Sequence, residues 1–227
     1  MLYTLEAVRD NLRNKEGKRV FYLGQEDRLT WEARDYLQQQ NIPILPAAEA
    51  RPEVFTLENG ATMTQKPEHM TQLNREILVE KTHPRILFRG QMDMLQAQML
   101  CCGKAHPELT EALGQLLQLS RKILSYEVLE TPLEEEKVLG MTPEQLRHRS
   151  QFPQQYYGIG HFMPDFTDTQ KILDLNLLRC RVRKAELAAV AAFTTPEGKL
   201  MREDIVKALN RMSSAVYILM LEQKGRK

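Results

Sequence analysis

The residues with the clearest chemical potential are two arginines and a glutamate near residue 180. Arg179, Arg183 and Glu186 follow one another at intervals of four and three residues, so a helix would align them on one side. A guanidinium group can donate two parallel hydrogen bonds to a phosphate, and a carboxylate accepts hydrogen bonds from hydroxyl groups. The spacing fits an anion-binding surface, but it fits equally well helix-flank side chains that extend to solvent.

A second group of charged residues lies in the segment that begins at Pro84. Arg85 and Arg89 would occupy the first two turns of a helix, where cations oppose the helix dipole and an anionic partner would offset the cost. Asp93 follows in an otherwise apolar run, and its burial would require a cation, for which Arg179 is a candidate. The last predicted helix also has a polar edge, formed by Asn210, Ser214 and Tyr217.

Composition and charge limit the classes of partner. The 227 residues include 31 Lys and Arg against 30 Asp and Glu, a net charge of +1, so no overall field attracts nucleic acid or an anionic membrane. No stretch approaches the ~20 consecutive apolar residues of a membrane span, and the N-terminus lacks the apolar run of a signal peptide. We expect a cytosolic protein with no nucleic-acid partner and no membrane partner. Its three cysteines include an adjacent pair and do not form a disulfide framework.

The elements that must position these residues differ between the two parts of the chain. Residues 1–68 predict a small α/β segment, because short apolar runs alternate with an amphipathic stretch and turn residues. Its predicted elements are a strand over 18–24, a helix over 30–40, a buried strand over 42–45 and a hairpin over 54–63 that turns at Asn59-Gly60.

Residues 69–227 predict a helical domain. Helices are expected over 84–102, ended by Gly103, then over 107–130, in a shorter stretch after Pro132, from a capping box at Thr142, over 168–193 and over 202–222. Residues 151–166 predict an aromatic loop. Short connections between long helices favour a mainly α fold, an antiparallel four- or five-helix bundle with the small N-terminal α/β segment attached.

Five stretches together resemble the ATP:corrinoid adenosyltransferases, and most closely their ethanolamine-utilisation type. These stretches are residues 29–45, 79–95, 124–150, 177–186 and 208–217. The resemblance implies a ferritin-like up-down bundle that forms a homotrimer, with ATP, its Mg²⁺ and the corrinoid held between subunits. The implied reaction transfers the 5′-deoxyadenosyl group of ATP to the cobalt of cob(I)alamin, giving adenosylcobalamin. It further implies a link to ethanolamine ammonia-lyase, in the cytoplasm or within a bacterial microcompartment.

The same resemblance assigns roles to individual residues. It implies that Asp93 pairs with Arg179 across the subunit interface and that Arg183 contacts the phosphates, so the candidate catalytic residues are Arg179, Asp93 and Arg183. The residues assigned to ATP or corrinoid binding are Lys81, Arg85, Arg183, Lys184, Glu186, Asn210 and Phe162. Phe162 resembles the aromatic residue that excludes the lower axial ligand of the corrinoid, although Phe166 or Tyr157 could equally serve.

Some departures from the family pattern keep other readings open. The phosphate-cradling N-terminus of the broader family is absent, and Ser214 stands where that family has Asp. Some ethanolamine-type members carry a His/Cys metal motif before residue 79, but here only His69 remains, and Gly103 and Pro107 interrupt the Cys102/His106 pair. We therefore expect no bound metal. The alternatives are a catalytically idle corrinoid carrier or scaffold of a metabolic assembly, and a helical protein that handles oxygen or iron.

Overall fold

The computed structural model describes residues 1–15, 17–49, 54–74 and 77–225, and this part of the chain is mainly α-helical. The chain divides into two compact units, which we call the N-terminal unit (Met1–Val54 with Met63–Gln65) and the helical unit (Phe55–Thr62 with Lys66–Lys227). None of the described helices is long and apolar enough to cross a membrane.

The N-terminal unit is a small α/β arrangement. Its elements are β1 (Leu2–Tyr3), α1 (Leu5–Asp10), β2 (Arg13–Lys15), β3 (Lys18–Leu23), β4 (Arg28–Leu29), α2 (Trp31–Gln39) and β5 (Ile44–Pro46). Strand β3 pairs antiparallel with β2 and parallel with β5, and β1 pairs parallel with β4. The predicted strand over 18–24 and helix over 30–40 are confirmed, and the Thr30 side chain caps α2 by accepting a hydrogen bond from the Ala33 backbone N–H.

The strand predicted over 42–45 is present, but it begins two residues later than predicted and is not buried. Ile42 is buried but lies before β5, whereas Ile44 begins the strand and is 43% exposed. Successive side chains of a strand point to opposite faces of the sheet, and in β5 the face that carries Ile44 and Pro46 is exposed whereas Leu45 is partly covered.

A small sheet leads into the first long helix of the helical unit. Its strands are β6 (Phe55–Leu57), β7 (Thr62–Met63), β8 (Met70–Gln72) and β9 (Ile77–Glu80), in the order β7-β6-β9-β8. The predicted hairpin is confirmed: the Leu57 backbone N–H donates to the Ala61 carbonyl, and Gly60 has φ of 81°, which an L side chain rarely adopts.

The helices share one hydrophobic core. They are α3 (Pro84–Ala105), α4 (Thr110–Val128), α5 (Pro143–Gln151), α6 (Pro153–Tyr157), α7 (Gln170–Phe193) and α8 (Glu203–Gly225). Helix α3 packs against α4 and α7, and α8 packs against α7 and α5. Helices α3 and α7 run antiparallel, because Phe88 contacts Phe193 near one end and His106 contacts Asp174 near the other.

Three expectations for the helical unit are wrong. Helix α3 passes through Gly103 and ends at Ala105, since one glycine costs a helix only about 1 kcal/mol and Pro107 provides the actual stop. No helix forms directly after Pro132, where the chain has no regular secondary structure up to a bridge between Val138 and Met141. The predicted aromatic loop contains helix α6. The capping box at Thr142 is confirmed, with Pro143 in the first turn of α5.

Candidate functional site

A cavity of about 280 Å³ opens beside α7 and α8. Its lining consists of Ser150, His161, Phe162, Arg179, Ser213, Ser214 and Tyr217. The cavity brings together Arg179 and Phe162, which are 17 positions apart in the sequence and were proposed for different tasks. It combines a cation, aromatic rings and hydroxyl groups, which suits a ligand with both charged and flat apolar parts.

Tyr217 lies at the centre of this cavity wall. Its ring is stacked against the rings of His161 and Phe162, with centroid separations of 5.9 and 6.1 Å. The Arg179 guanidinium carbon lies 5.5 Å from the Tyr217 ring centroid, a cation–π distance. The Nε of Arg179 is buried without a hydrogen-bond partner in the described part of the chain, so this cation keeps an unused donor.

Glu186 lies two turns beyond Arg179 on α7 and is hydrogen-bonded to Asn210 of α8. The Asn210 amide donates to Glu186 Oε1 at 2.8 Å, and Arg211 donates to Asn210 Oδ1 at 2.6 Å. Because arginine only donates, the Asn210 carbonyl oxygen must face Arg211 and its amide nitrogen must face Glu186. The pKa of Arg211 is lowered mainly by burial and further by the nearby positive charge of Arg147. Glu186 retains acceptor capacity, because a carboxylate offers about four lone pairs.

Arg183 and Lys184 are exposed on α7 between these two groups. Neither belongs to an ion pair within the described residues, and the possible Arg183–Glu186 pair along the helix is not formed, since Glu186 accepts from Asn210 instead. Both cations are therefore accessible to an anion from solvent.

Arg85 and Arg89 form a separate cluster with Glu127 near the start of α3. Arg85 Nε donates to Glu127 Oε1 at 2.6 Å, and Arg89 Nε donates to Glu127 Oε2 at 2.7 Å. Arg85 also donates to Glu130 at 2.8 Å and to the Glu127 carbonyl at 3.1 Å, so all three of its guanidinium nitrogens have partners within the chain. Burial alone would lower the pKa of Arg85, but the hydrogen bonds to Glu130 and Glu127 outweigh it and raise that pKa.

Glu127 supplies the anionic partner that the two arginines were expected to need, and the sequence reasoning missed it. Its side chain is 0% exposed. A signal was available, since Leu116, Ser120, Ile123 and Glu127 follow at helical spacing and all lie on the buried face of α4. A carboxylate on an apolar arc indicates a buried ion pair.

Asp93 and Lys81 lie apart from the cavity within one chain. Both are exposed. The contacts between the antiparallel helices α3 and α7 place Arg179 beside Cys101 of α3. Asp93 precedes Cys101 by about eight residues, which at 1.5 Å per residue puts it about 12 Å from Arg179 along the helix axes. Lys81 precedes the start of α3, still further from the cavity.

Phe162 is the aromatic candidate that the structure places at the cavity. Phe166 is fully exposed, whereas the hydroxyl of Tyr157 is buried and without a hydrogen-bond partner in the described chain. Burial raises the pKa of the Cys102 thiol to about 11, which opposes its deprotonation to a metal-binding thiolate. Within the described ranges, no group of three His, Cys, Asp or Glu residues is placed to hold a metal ion.

Comparisons with known proteins connect this geometry to a family. A sequence model described as Cobalamin adenosyltransferase matches residues 61–223. The Corrinoid adenosyltransferase EutT of Escherichia coli (strain K12) is 30% identical over 191 residues, which cover 81% of this chain and 70% of that protein. The protein of the same name from Salmonella typhimurium is 28% identical over 192 residues, covering 82% and 70%. The chain therefore belongs to the cobalamin adenosyltransferase family, as a transferase enzyme similar to the EutT corrinoid adenosyltransferases.

Proposed function

We propose that this enzyme transfers the 5′-deoxyadenosyl group of ATP to the cobalt of cob(I)alamin. The observation that carries the proposal is that Arg179 of α7 shares a cavity with Phe162, from the segment before α7, while Glu186, two turns along α7, is bonded to Asn210 of α8. In the reaction, the cobalt lone pair forms a bond to the ribose C5′ while the C5′–O bond breaks. The triphosphate leaves with the electrons of that bond, and adenosylcobalamin is the product.

The cations of α7 suit the leaving group. Arg183 and Lys184 are exposed and have no carboxylate partner in the described chain, so they can bind the triphosphate together with Mg²⁺. Glu186 and Asn210 hold each other in one orientation and can bind the nucleoside hydroxyl groups through their remaining donors and acceptors. Fixed groups orient the ribose carbon for attack without further cost at the moment of reaction.

In this proposal the corrinoid, which is larger than the cavity, lies across its mouth. Phe162 covers its lower face and excludes the axial ligand, which makes reduction of the cobalt to its nucleophilic state easier. Arg179 contributes its unused N–H to this region. Arg85 is proposed at the ATP site as well, but its guanidinium must first leave Glu127 and Glu130, so Lys81 is the more accessible cation of that segment.

We also propose that the enzyme is a homotrimer of ferritin-like up-down bundles. A subunit interface would cover large apolar side chains that both α3 and α7 expose to solvent. They are Leu87, Met94, Leu100, Leu177, Leu187 and Val190. A neighbouring subunit would bring its Asp93 to Arg179, which one chain keeps about 12 Å apart along the helix axes. Lys81 and Arg85 would reach the cavity in the same way.

The wider setting follows from the same proposal. Residues 69–227 form the adenosyltransferase domain and residues 1–68 an accessory α/β segment. The resemblance of this chain to the ethanolamine-utilisation type supports a place for the enzyme beside ethanolamine ammonia-lyase, in the cytoplasm or inside a microcompartment.

The purified protein, mixed with ATP, Mg²⁺ and chemically reduced cob(I)alamin, tests the function. We expect the cob(I)alamin absorption to disappear and adenosylcobalamin to form. Arg183→Ala should lower kcat/KM for ATP by about 10- to 100-fold, because this is the effect expected when one charge-assisted hydrogen bond to the transition state is lost. Arg181→Ala, on the opposite side of the same helix, is the matched control and should change it less than about threefold.

Three outcomes would contradict the proposal or one of its assignments. Conversion no faster than without protein would exclude the transfer, and a corrinoid bound tightly without turnover would favour the idle carrier instead. Equal effects of Arg183→Ala and Arg181→Ala would remove Arg183 from the polyphosphate site.

A further inference from the structure

We propose that Tyr217 is a positioning residue, whose hydroxyl group holds the segment 158–162 in place so that Phe162 stays at the cavity. This inference rests on the function proposed above, in which Phe162 covers the lower face of the corrinoid.

The hydrogen bonds of Tyr217 form a complete and directional set. The backbone N–H of Phe162 donates to the Tyr217 hydroxyl oxygen at 3.4 Å, and His161 Nδ1 lies 3.2 Å from the same oxygen. His161 Nε2 lies 3.2 Å from the carbonyl oxygen of Gln151, the last residue of α5. A carbonyl only accepts, so in neutral His161 the proton is on Nε2, and Nδ1 accepts the hydroxyl proton of Tyr217.

The segment that Tyr217 holds has few other attachments. Gly158 has φ of 68° and Gly160 follows closely, so the backbone here has wide conformational freedom. Gly158 is bonded to Gln154 of α6 through its N–H and its carbonyl, and in the described chain the hydrogen bonds found for residues 159–162 all involve His161 or Phe162. The Tyr217 hydroxyl accounts for the hydrogen bonds of the segment to α8, so its removal leaves there the ring contacts and, toward α5, the contact of His161 with the Gln151 carbonyl.

The same side chain also sets the position of Phe162 relative to Arg179. One phenol ring contacts the Phe162 ring and carries the Arg179 guanidinium at a cation–π distance. Phe162 also contacts Lys224, whose Nζ lies 5.4 Å from the Phe162 ring centroid. A phenylalanine at 217 would preserve these ring contacts and lose only the hydrogen bonds, so the hydroxyl can be tested separately.

The variant Tyr217→Phe, studied in the full chain, tests the proposal by hydrogen–deuterium exchange. Loss of one hydrogen bond should accelerate exchange of the Phe162 amide by about fivefold or more. Tyr156→Phe is the matched control, because it removes another phenol hydroxyl, one that contacts His148 Nδ1 at 2.9 Å and does not contact the segment. That control should leave exchange at Phe162 unchanged.

A kinetic readout separates positioning from general stability. Tyr217→Phe should raise KM for cob(I)alamin by about fivefold and leave KM for ATP within about twofold, since the hydroxyl acts on Phe162 and not on the polyphosphate. If the wild-type enzyme is active and Tyr217→Phe changes neither the exchange of the Phe162 amide nor the KM for cob(I)alamin, the positioning role is overturned. Faster exchange in a protein without adenosyl transfer would overturn the proposed function and retain the structural role of the hydroxyl.

Discussion

Replacing Glu127 by glutamine should destabilise the helical unit far more than its size suggests. The carboxylate is fully buried and accepts from Arg85 Nε, Arg89 Nε and Arg89 NH2 at 2.6, 2.7 and 3.2 Å. Glutamine has nearly the same shape but only one oxygen. Its amide nitrogen must therefore point a donor at the donor of one of the two arginines.

The expected loss follows from the burial of the three partners. The side chains of Arg85 and Arg89 are only 16% and 19% exposed, so both cations would remain largely buried without their shared anion. Breaking such a pair costs about 3–5 kcal/mol, and we expect the lower end because Arg85 keeps Glu130. For a unit of this size, about 3 kcal/mol corresponds to a fall in Tm of about 6–12 °C.

Denaturant unfolding followed by circular dichroism provides the measurement, with Glu130→Gln as the matched control. Glu130 is 54% exposed and bonds the same arginine, so its replacement should cost at most about 1 kcal/mol. Equal unfolding midpoints for the two variants would refute the reasoning, because the buried carboxylate would then contribute no more than a surface ion pair.

Three further predictions concern reactivity, pH and assembly. Cys102, whose pKa burial raises to about 11, should resist alkylation at pH 8 in the native protein, while exposed Cys101 reacts, as peptide mapping by mass spectrometry will show. Asp204→Asn should cost about 1–2 kcal/mol at neutral pH, because Asp204 accepts from Arg202 and a backbone N–H. Burial raises the pKa of Asp204, but these bonds outweigh it and hold the pKa below 3.8, so the stability difference should shrink as pH falls below about 4. Leu187→Glu, at a side chain 69% exposed on α7, should dissociate the proposed trimer in sedimentation velocity without unfolding the chain.

Errors in the sequence interpretation came mostly from local signals that tertiary contacts overrode. Gly103 suggests a helix end, but α3 continues through it, because a single glycine costs a helix only about 1 kcal/mol and α3 packs along α4 and α7. The stretch after Pro132 has helix-forming glutamates, yet it forms no helix, and Leu139 and Gly140 turn at positive φ. Local propensity was too weak at these positions to predict the element.

The sequence by itself determined what depends on near neighbours. The capping box at Thr142, the turn at Asn59-Gly60 and the helical line of Arg179, Arg183 and Glu186 follow from residues within a few positions of each other. Family membership also followed from the order of short stretches along the chain.

Only the tertiary structure decided which side chains meet. Hydrogen bonds join residues that are far apart in the sequence: Arg85 and Glu127 are separated by 42 positions, Glu186 and Asn210 by 24, and Phe162 and Tyr217 by 55. No periodicity links residues so far apart, because helix packing and the register between helices set their distance. Arginines that looked alike in the sequence thus differ in the fold: Arg85 is fully paired, whereas Arg183 is exposed to an incoming anion.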